Sequence, residues 1–394
     1  MKSNYDILGN HIRLIDTRNR ESITDRVLGI NIDKFFMPSV ANVIGTDLSK
    51  YKLITKGKFA CNPMHVGRDE RLPVALYAEE EPAIVSPAYF MFEVIDNSIL
   101  NEDYLMMWFR RPEFDRICWL HTDGSVRGGI TWDDICRLEL PIPPIENQLE
   151  IVNSYKAITE RIALKQKIND NLFATVNAFF TEKFSRFLHE DMRNMPNYVQ
   201  LKDFIKIKHG YAFDGEQFSE NETSKILVSP GNFKIGGGFQ NNKPKFYNEE
   251  AEYKADYVLE AGSLVVTMTD LSKNGDTLGF PAIIPKDERM TFLHNQRVGL
   301  VEFIDNTYPK AFIYFLMCSN DYRNYILATA SGTTVRHTSP DKISGYGFIT
   351  PDNKDDLIIL NRLYEAYLSD CDTFNIEIQR LAELQSTLLS KMVG

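Results

Sequence analysis

Two windows of this chain contain neither glycine nor proline, residues 145–195 and 352–393, while both residue types are frequent elsewhere. Each window opens just after prolines, Pro141, Pro143 and Pro144 before the first and Pro351 before the second. Proline holds the residue before it extended and then releases the chain into a helix. In the first window Ile151, Tyr155, Ile158, Ile162, Lys165, Asn169, Leu172, Val176 and Phe179 follow one another at steps of four and three. In the second, Leu360, Tyr364, Tyr367, Cys371, Phe374, Ile378, Leu381, Gln385, Leu388 and Met392 do the same. A mean step of 3.5 sustained over four heptads is a coiled-coil seam. Two single seams in one chain predict that they pair with each other, the alternative being that each pairs with another subunit. Lys165 and Asn169 interrupt the first seam, either to fix register or to reach solvent.

What remains is two stretches of similar size, and they repeat. Lys56-Gly-Lys-Phe-Ala-Cys61 resembles Ala261-Gly-Ser-Leu-Val-Val266, and Ile95-Asp-Asn97 matches Ile304-Asp-Asn306. Each Ile-Asp-Asn is followed by an aromatic run, around Trp108 and Phe315, that reads as core. Gly124-Ser-Val-Arg127 answers Gly332-Thr-Thr-Val-Arg336, and Leu140-Pro-Ile-Pro143 answers Phe348-Ile-Thr-Pro351, all at an offset near 208. Matches in order at one offset indicate duplication. The expected fold class is mixed α/β (α+β): two repeated globular domains, 1–145 and 197–352, with short β-rich runs. A central helix and linker, 146–196, and a C-terminal helix, 353–394, form an antiparallel coiled coil between them, with pseudo-two-fold symmetry. The central seam would span roughly 42 Å at ~1.5 Å per residue, about twelve base pairs of duplex.

The chemistry of common enzymes is missing from the sequence. There is no GxxxxGK[ST] phosphate loop, no GxSxG elbow, no HExxH pair and no Asn-Pro-Pro-aromatic tetrapeptide. Gly236-Gly-Gly238 reads as a turn, Glu252-Tyr-Lys254 as a solvated charge run, and Cys61 near His65 as a buried small residue beside a loop. The five cysteines are scattered without metal spacing, which predicts free thiols in a reducing compartment. With no signal-type or membrane-spanning apolar run, the expected location is cytoplasmic. Net charge is −10, and no segment is strongly basic, which weighs against a polybasic coat for nucleic acid. The residues therefore predict binding and not catalysis.

Leu140-Pro-Ile-Pro-Pro-Ile-Glu-Asn-Gln-Leu-Glu-Ile-Val152 resembles the LPxPPxxEQxxIV start of the central helix in specificity (S) subunits of type I restriction–modification systems. Asn147 stands where Glu is usual, and Gln148 is in place. Lys202-Asp-Phe-Ile-Lys-Ile-Lys-His-Gly-Tyr-Ala-Phe213 is similar to the opening of that family's target-recognition domains, and the four-part layout covers the whole chain. The second helix start, Thr350-Pro-Asp-Asn-Lys-Asp-Asp356, lacks the double proline and the Gln. The resemblance implies a non-catalytic subunit that reads one half of a split double-stranded DNA target with each domain. It implies two modification (methyltransferase) subunits and restriction (nuclease/translocase) subunits as partners. S-adenosylmethionine, ATP and Mg would belong to those partners, with no cofactor on this chain. The rival expectation is a coiled-coil scaffold whose end domains bind proteins.

Recognition domains differ from target to target, so candidate DNA-contacting residues come from residue type and loop context. Arg127 and Arg336, in the repeated glycine loops, can fork onto guanine, with Thr334 and His337 adding contacts. His65 and Arg68 lie in the loop after the Gly57 strand, and Thr267, Thr269 and Lys273 in its counterpart. Lys206, Lys208 and Tyr211 suit phosphates.

Overall fold

A computed structural model describes residues 4–64, 66–122, 128–188, 193–242 and 244–392. It divides into two compact units, Met1–Leu164 with Glu377–Gly394, and Lys165–Ile376. The division runs through both long helices, so each unit holds one α+β domain and a section of each helix.

In the first unit, Tyr5–Ile7 pairs antiparallel with Glu139–Pro141 and closes the domain just before the central helix. An antiparallel sheet has the order Ile12–Leu14, Phe90–Val94, Phe59–Cys61, Val74–Leu76. A second has the order Phe36–Pro38, Val27–Ile30, Ala83–Val85, Lys52–Ile54, in which Val27–Ile30 and Ala83–Val85 run parallel. The helix Glu102–Phe109 is wholly buried from Tyr104 to Phe109, against Phe59, Phe92 and Phe114. Such a run carries no polar face because it has none to show.

The second unit repeats the wiring of these sheets. Tyr198–Gln200 pairs with Gly347–Ile349. One sheet has the order Ile205–His209, Val298–Phe303, Leu264–Thr267, Pro281–Ile283. The other has Phe246–Tyr247, Lys225–Val228, Thr291–His294, Val258–Leu259, again with its central pair parallel, plus one added edge strand, Phe218–Ser219. A single parallel pair at the same place in both sheets is not a consequence of hydrophobic patterning, and it establishes the duplication. Gly57 and Gly262 turn the chain into equivalent strands with φ of +80° and +79°, a region costly for any residue with a Cβ. The aromatic run Phe312–Met317 is buried like its counterpart.

The central helix spans Ile145–Phe184 and the C-terminal helix Lys354–Lys391. In the first unit Val152 and Met392 share one core cluster, and Gln385 Nε2 donates to Thr159 Oγ1 at 2.6 Å. In the second, Lys165 lies 4.6 Å from the Phe374 ring, Cys371 Sγ donates to Asn169 Oδ1 at 3.5 Å, and Phe173 meets Tyr367. Residue numbers fall along one helix as they rise along the other, so the pairing is antiparallel in each unit. The two polar interruptions of the seam are spent on seam partners. Among the described residues no helix is long and apolar enough to cross a membrane.

Candidate nucleic-acid interface

Each unit joins two loops that are far apart in sequence. In the second unit, Thr269 and Asp270 pair antiparallel with His337 and Arg336. Ser331 and His337 exchange backbone hydrogen bonds at 2.9 and 2.8 Å, which closes the 332–336 loop into a hairpin. Gly332 sits at φ +88°, where a Cβ would strike the Val335 carbonyl at 2.0 Å. In the first unit, Gly67 N donates to Gly128 O and Ile130 N to Pro63 O, so the counterpart loops are joined in the same way. Sequence reasoning named both loops of each domain. Their contact is a product of the fold.

The 270–278 loop is pinned from inside. Burial raises the Asp270 pKa, but hydrogen bonds from Thr277 and Ser272 outweigh it and hold the carboxyl below its ordinary range. The Arg323 guanidinium donates to the carbonyls of Gly275 and Leu278 and lies 4.7 Å from the Phe280 ring. What projects is Leu271, 67% exposed, with exposed Lys273 and Thr334.

Beside these loops is an open cleft of about 600 Å³, lined by His209, Gly210, Met268, Thr269, Gln296, Arg297, His337 and Thr338. Thr269 Oγ1 and His337 Nδ1 are 3.2 Å apart in its wall. The floor is set by the close approach of Gly210 to the turn at Asn295, where a Cβ would lie 2.2 Å from the Asn295 carbonyl oxygen. Tyr211 N donates to His294 O and Gln296 N to Tyr211 O, which ties the His209-Gly210-Tyr211 segment to that turn. His294 itself is buried, with its Nε2 2.8 Å from the Val298 carbonyl, and burial pushes its pKa down to about 4. It is a neutral brace.

The candidates sort by position. Thr269 and His337 line the cleft, and Lys273, Thr334 and Arg336 belong to the paired loops beside it. Lys206 is exposed on the edge strand Ile205–His209. Lys208 Nζ donates to Asp256 O at 3.2 Å and lies 5.7 Å from the Tyr257 ring. Tyr211 is exposed, packs on Tyr257 and takes Lys254 over its ring at 4.9 Å. Thr267 is a correction: it is fully buried, and its hydroxyl donates to the Thr269 carbonyl at 3.0 Å, so no face of it is left for DNA. Thr267 shares one face of its strand with Val265 while Leu264 and Val266 share the other, and the strand is covered on both faces, so its last residue is sealed in as well. His65 and Arg127 lie outside the described residues, as does the side chain of Arg68, which stands in the helix Val66–Asp69. Sequence reasoning missed His209, Gln296 and Arg297. The signal was a polar Asn-Gln-Arg turn between two apolar strands, next in space to a histidine in a segment already singled out.

Elsewhere, burial pushes the Cys61 thiol up to about 12, so it is no thiolate at neutral pH. Among the described residues no group of three His, Cys, Asp or Glu side chains is placed to hold a metal ion.

The sequence matches no known protein-family model and no curated protein. The architecture does have solved counterparts. Its class is a duplicated α+β domain joined through two antiparallel helices. Within that class the chain shares its fold with the type I restriction–modification system S subunit from M. genitalium, at 13% identity and a TM-score of 0.54, over 98% of this chain and 95% of that one. The HsdS subunit from Thermoanaerobacter tengcongensis aligns at 13% identity over 99% of this chain and 96% of that one, with a TM-score of 0.34. A chain from a structure of type I R-M complex assembly and conformational transition aligns at 13% identity over 99% and 97%, with a TM-score of 0.44.

Proposed function

We propose that the chain is the DNA-recognition subunit of a type I restriction–modification complex, each domain reading one half of a split double-stranded target. The helices act as spacer and as docking surface for two methyltransferase subunits, and restriction subunits assemble around them. Methyl transfer from S-adenosylmethionine, ATP-driven translocation and Mg-dependent cleavage fall to those partners, and this chain is non-catalytic.

One observation carries the reading. In both halves of a duplicated fold shared with an S subunit, the same two loops are hydrogen-bonded together, and in the second half they stand beside a cleft walled by two histidines and an arginine. Imidazole, guanidinium and hydroxyl groups in a concave wall suit base edges, while flanking lysines suit phosphates. The net charge of −10 is compatible with a reader whose partners supply much of the phosphate contact.

The deciding experiment is single-molecule methylome sequencing of the source strain with the gene intact and deleted. Loss of N6-methyladenine at one split motif is the expected result. An unchanged methylome, with the partner methyltransferase expressed, would favour the protein-binding scaffold instead.

A further inference from the structure

We propose that Arg297 is the guanine-reading residue of the second unit, and that Arg336, the arginine its sequence context favours, positions the loop and does not read. This rests on the DNA-recognition function proposed above.

The two arginines differ in what they are already doing. Arg336 is half-buried within a strand pair, its Nε donates to the Lys273 carbonyl at 3.3 Å, and its stem lies 3.6 Å from where a Gly275 Cβ would be. Its guanidinium is partly spent on holding the 270–276 loop. Arg297 is exposed at the turn between Thr291–His294 and Val298–Phe303, and its guanidinium has no ion-pair or hydrogen-bond partner among the described residues. Only its backbone is engaged. Arg297 N donates to Asn295 Oδ1 at 2.9 Å, and its carbonyl accepts from Met268 N at 2.9 Å. The turn beneath it cannot shift easily, because Gly210 is packed against Asn295 and the His294 ring is held on Val298 O. A free fork on a fixed base is preorganised for bidentate contact, which is costly to achieve with a mobile loop.

Place then decides the ligand group. A guanidinium that only met phosphate would need no cleft. Arg297 shares its cleft with His209, Thr269 and His337, so a base edge inserted there would find donors and acceptors on both sides. Guanine, with O6 and N7 side by side, is the edge that a guanidinium fork matches. The equivalent turn of the first unit, between Ala83–Val85 and Phe90–Val94, reads Ser86-Pro-Ala-Tyr89 and carries no cation. The requirement for this guanine therefore belongs to one half-site alone.

The test is selection from a pool of randomised DNA duplexes by the complex of the full chain with its methyltransferase partner, using wild type, Arg297→Ala and Arg336→Ala. Selection reports preference base by base even when binding is weak. Wild type is expected to enrich a split motif, and Arg297→Ala to lose guanine preference at one position of one half-site, by roughly 5- to 150-fold. Arg336→Ala is expected to lower recovery without freeing any single position. Arg297→Ala with every preference intact, whether recovery is normal or uniformly reduced, overturns the assignment and leaves the recognition function standing. Relaxation at one position by Arg336→Ala and not by Arg297→Ala would reverse the two roles. A wild-type complex that enriches no motif refutes the recognition function itself.

Discussion

At His294 a single buried ring sets how the second unit responds to acid. Its pKa is depressed to about 4 by burial, against an ordinary value of 6.5. Between those values the unfolded chain takes up a proton that the folded chain refuses, so stability falls as pH drops from about 6.5 to about 4 and levels off below. The shift corresponds to roughly 3 kcal/mol. Replacing His294 with Asn is expected to flatten that part of the stability–pH curve, read by chemical denaturation at pH 7 and pH 4.5. The same slope in the variant as in wild type would assign it to other groups. Within the folded chain the ring stays neutral until pH approaches about 4, so its brace on the Asn295–Arg297 turn is kept over that interval. The histidine was visible in the sequence, but its burial was not: Thr291-Phe-Leu-His294 ends a strand whose parallel neighbour, Lys225–Val228, comes from 66 positions upstream.

At the scale of elements, the start of the central helix is locked and the start of the C-terminal helix is not. Gln148 is fully buried. Its Oε1 accepts from Asn101 N at 2.9 Å, and its Nε2 donates to Ile99 O and Pro143 O, both at 2.8 Å. One amide thus satisfies three backbone groups that have little access to water and fixes the helix to the Ile-Asp-Asn corner of its domain. Asp356, in the corresponding place, accepts from the Asn353 side chain at 2.9 Å in an exposed setting, its one side-chain hydrogen bond among the described residues. Gln148→Ala leaves the three groups unpaired and is expected to cost roughly 3 kcal/mol, whereas Asp356→Ala should cost under about 1 kcal/mol. Equilibrium denaturation compares them, and equal costs would deny the lock. The Gln could be picked out from the sequence because it sits in a motif, but two of its three partners lie 47 and 49 residues away and only folding reveals them.

For the whole molecule, the proposed function makes the paired helices a ruler. Deleting seven residues from each helix at facing positions removes ~10.5 Å of rise, about three base pairs of duplex. The spacer of the methylated motif is expected to shorten by that amount while both half-sites stay unchanged. A full-length spacer in the deletion variant would show that the helices do not set it.

The layout was legible because it rests on signals that act locally and repeat. Glycine and proline bar helix interiors wherever they occur, a 3.5-residue apolar period makes a seam, and duplication prints the same short motifs twice at one offset. These determined two helices and two like domains; that the helices pair with each other and run antiparallel was an expectation that only their contacts decided. The interface was only half legible. Loop glycines and arginines announce a flexible basic loop, but nothing local says that 269–270 will pair with 336–337, that Thr267 will be sealed inside, or that the Arg297 side chain will have no partner among the described residues while Arg336 is engaged. Those outcomes depend on strand order and on burial from both faces of a sheet. Both are fixed by contacts between residues far apart in the chain, and so only the tertiary structure could decide which arginine is engaged.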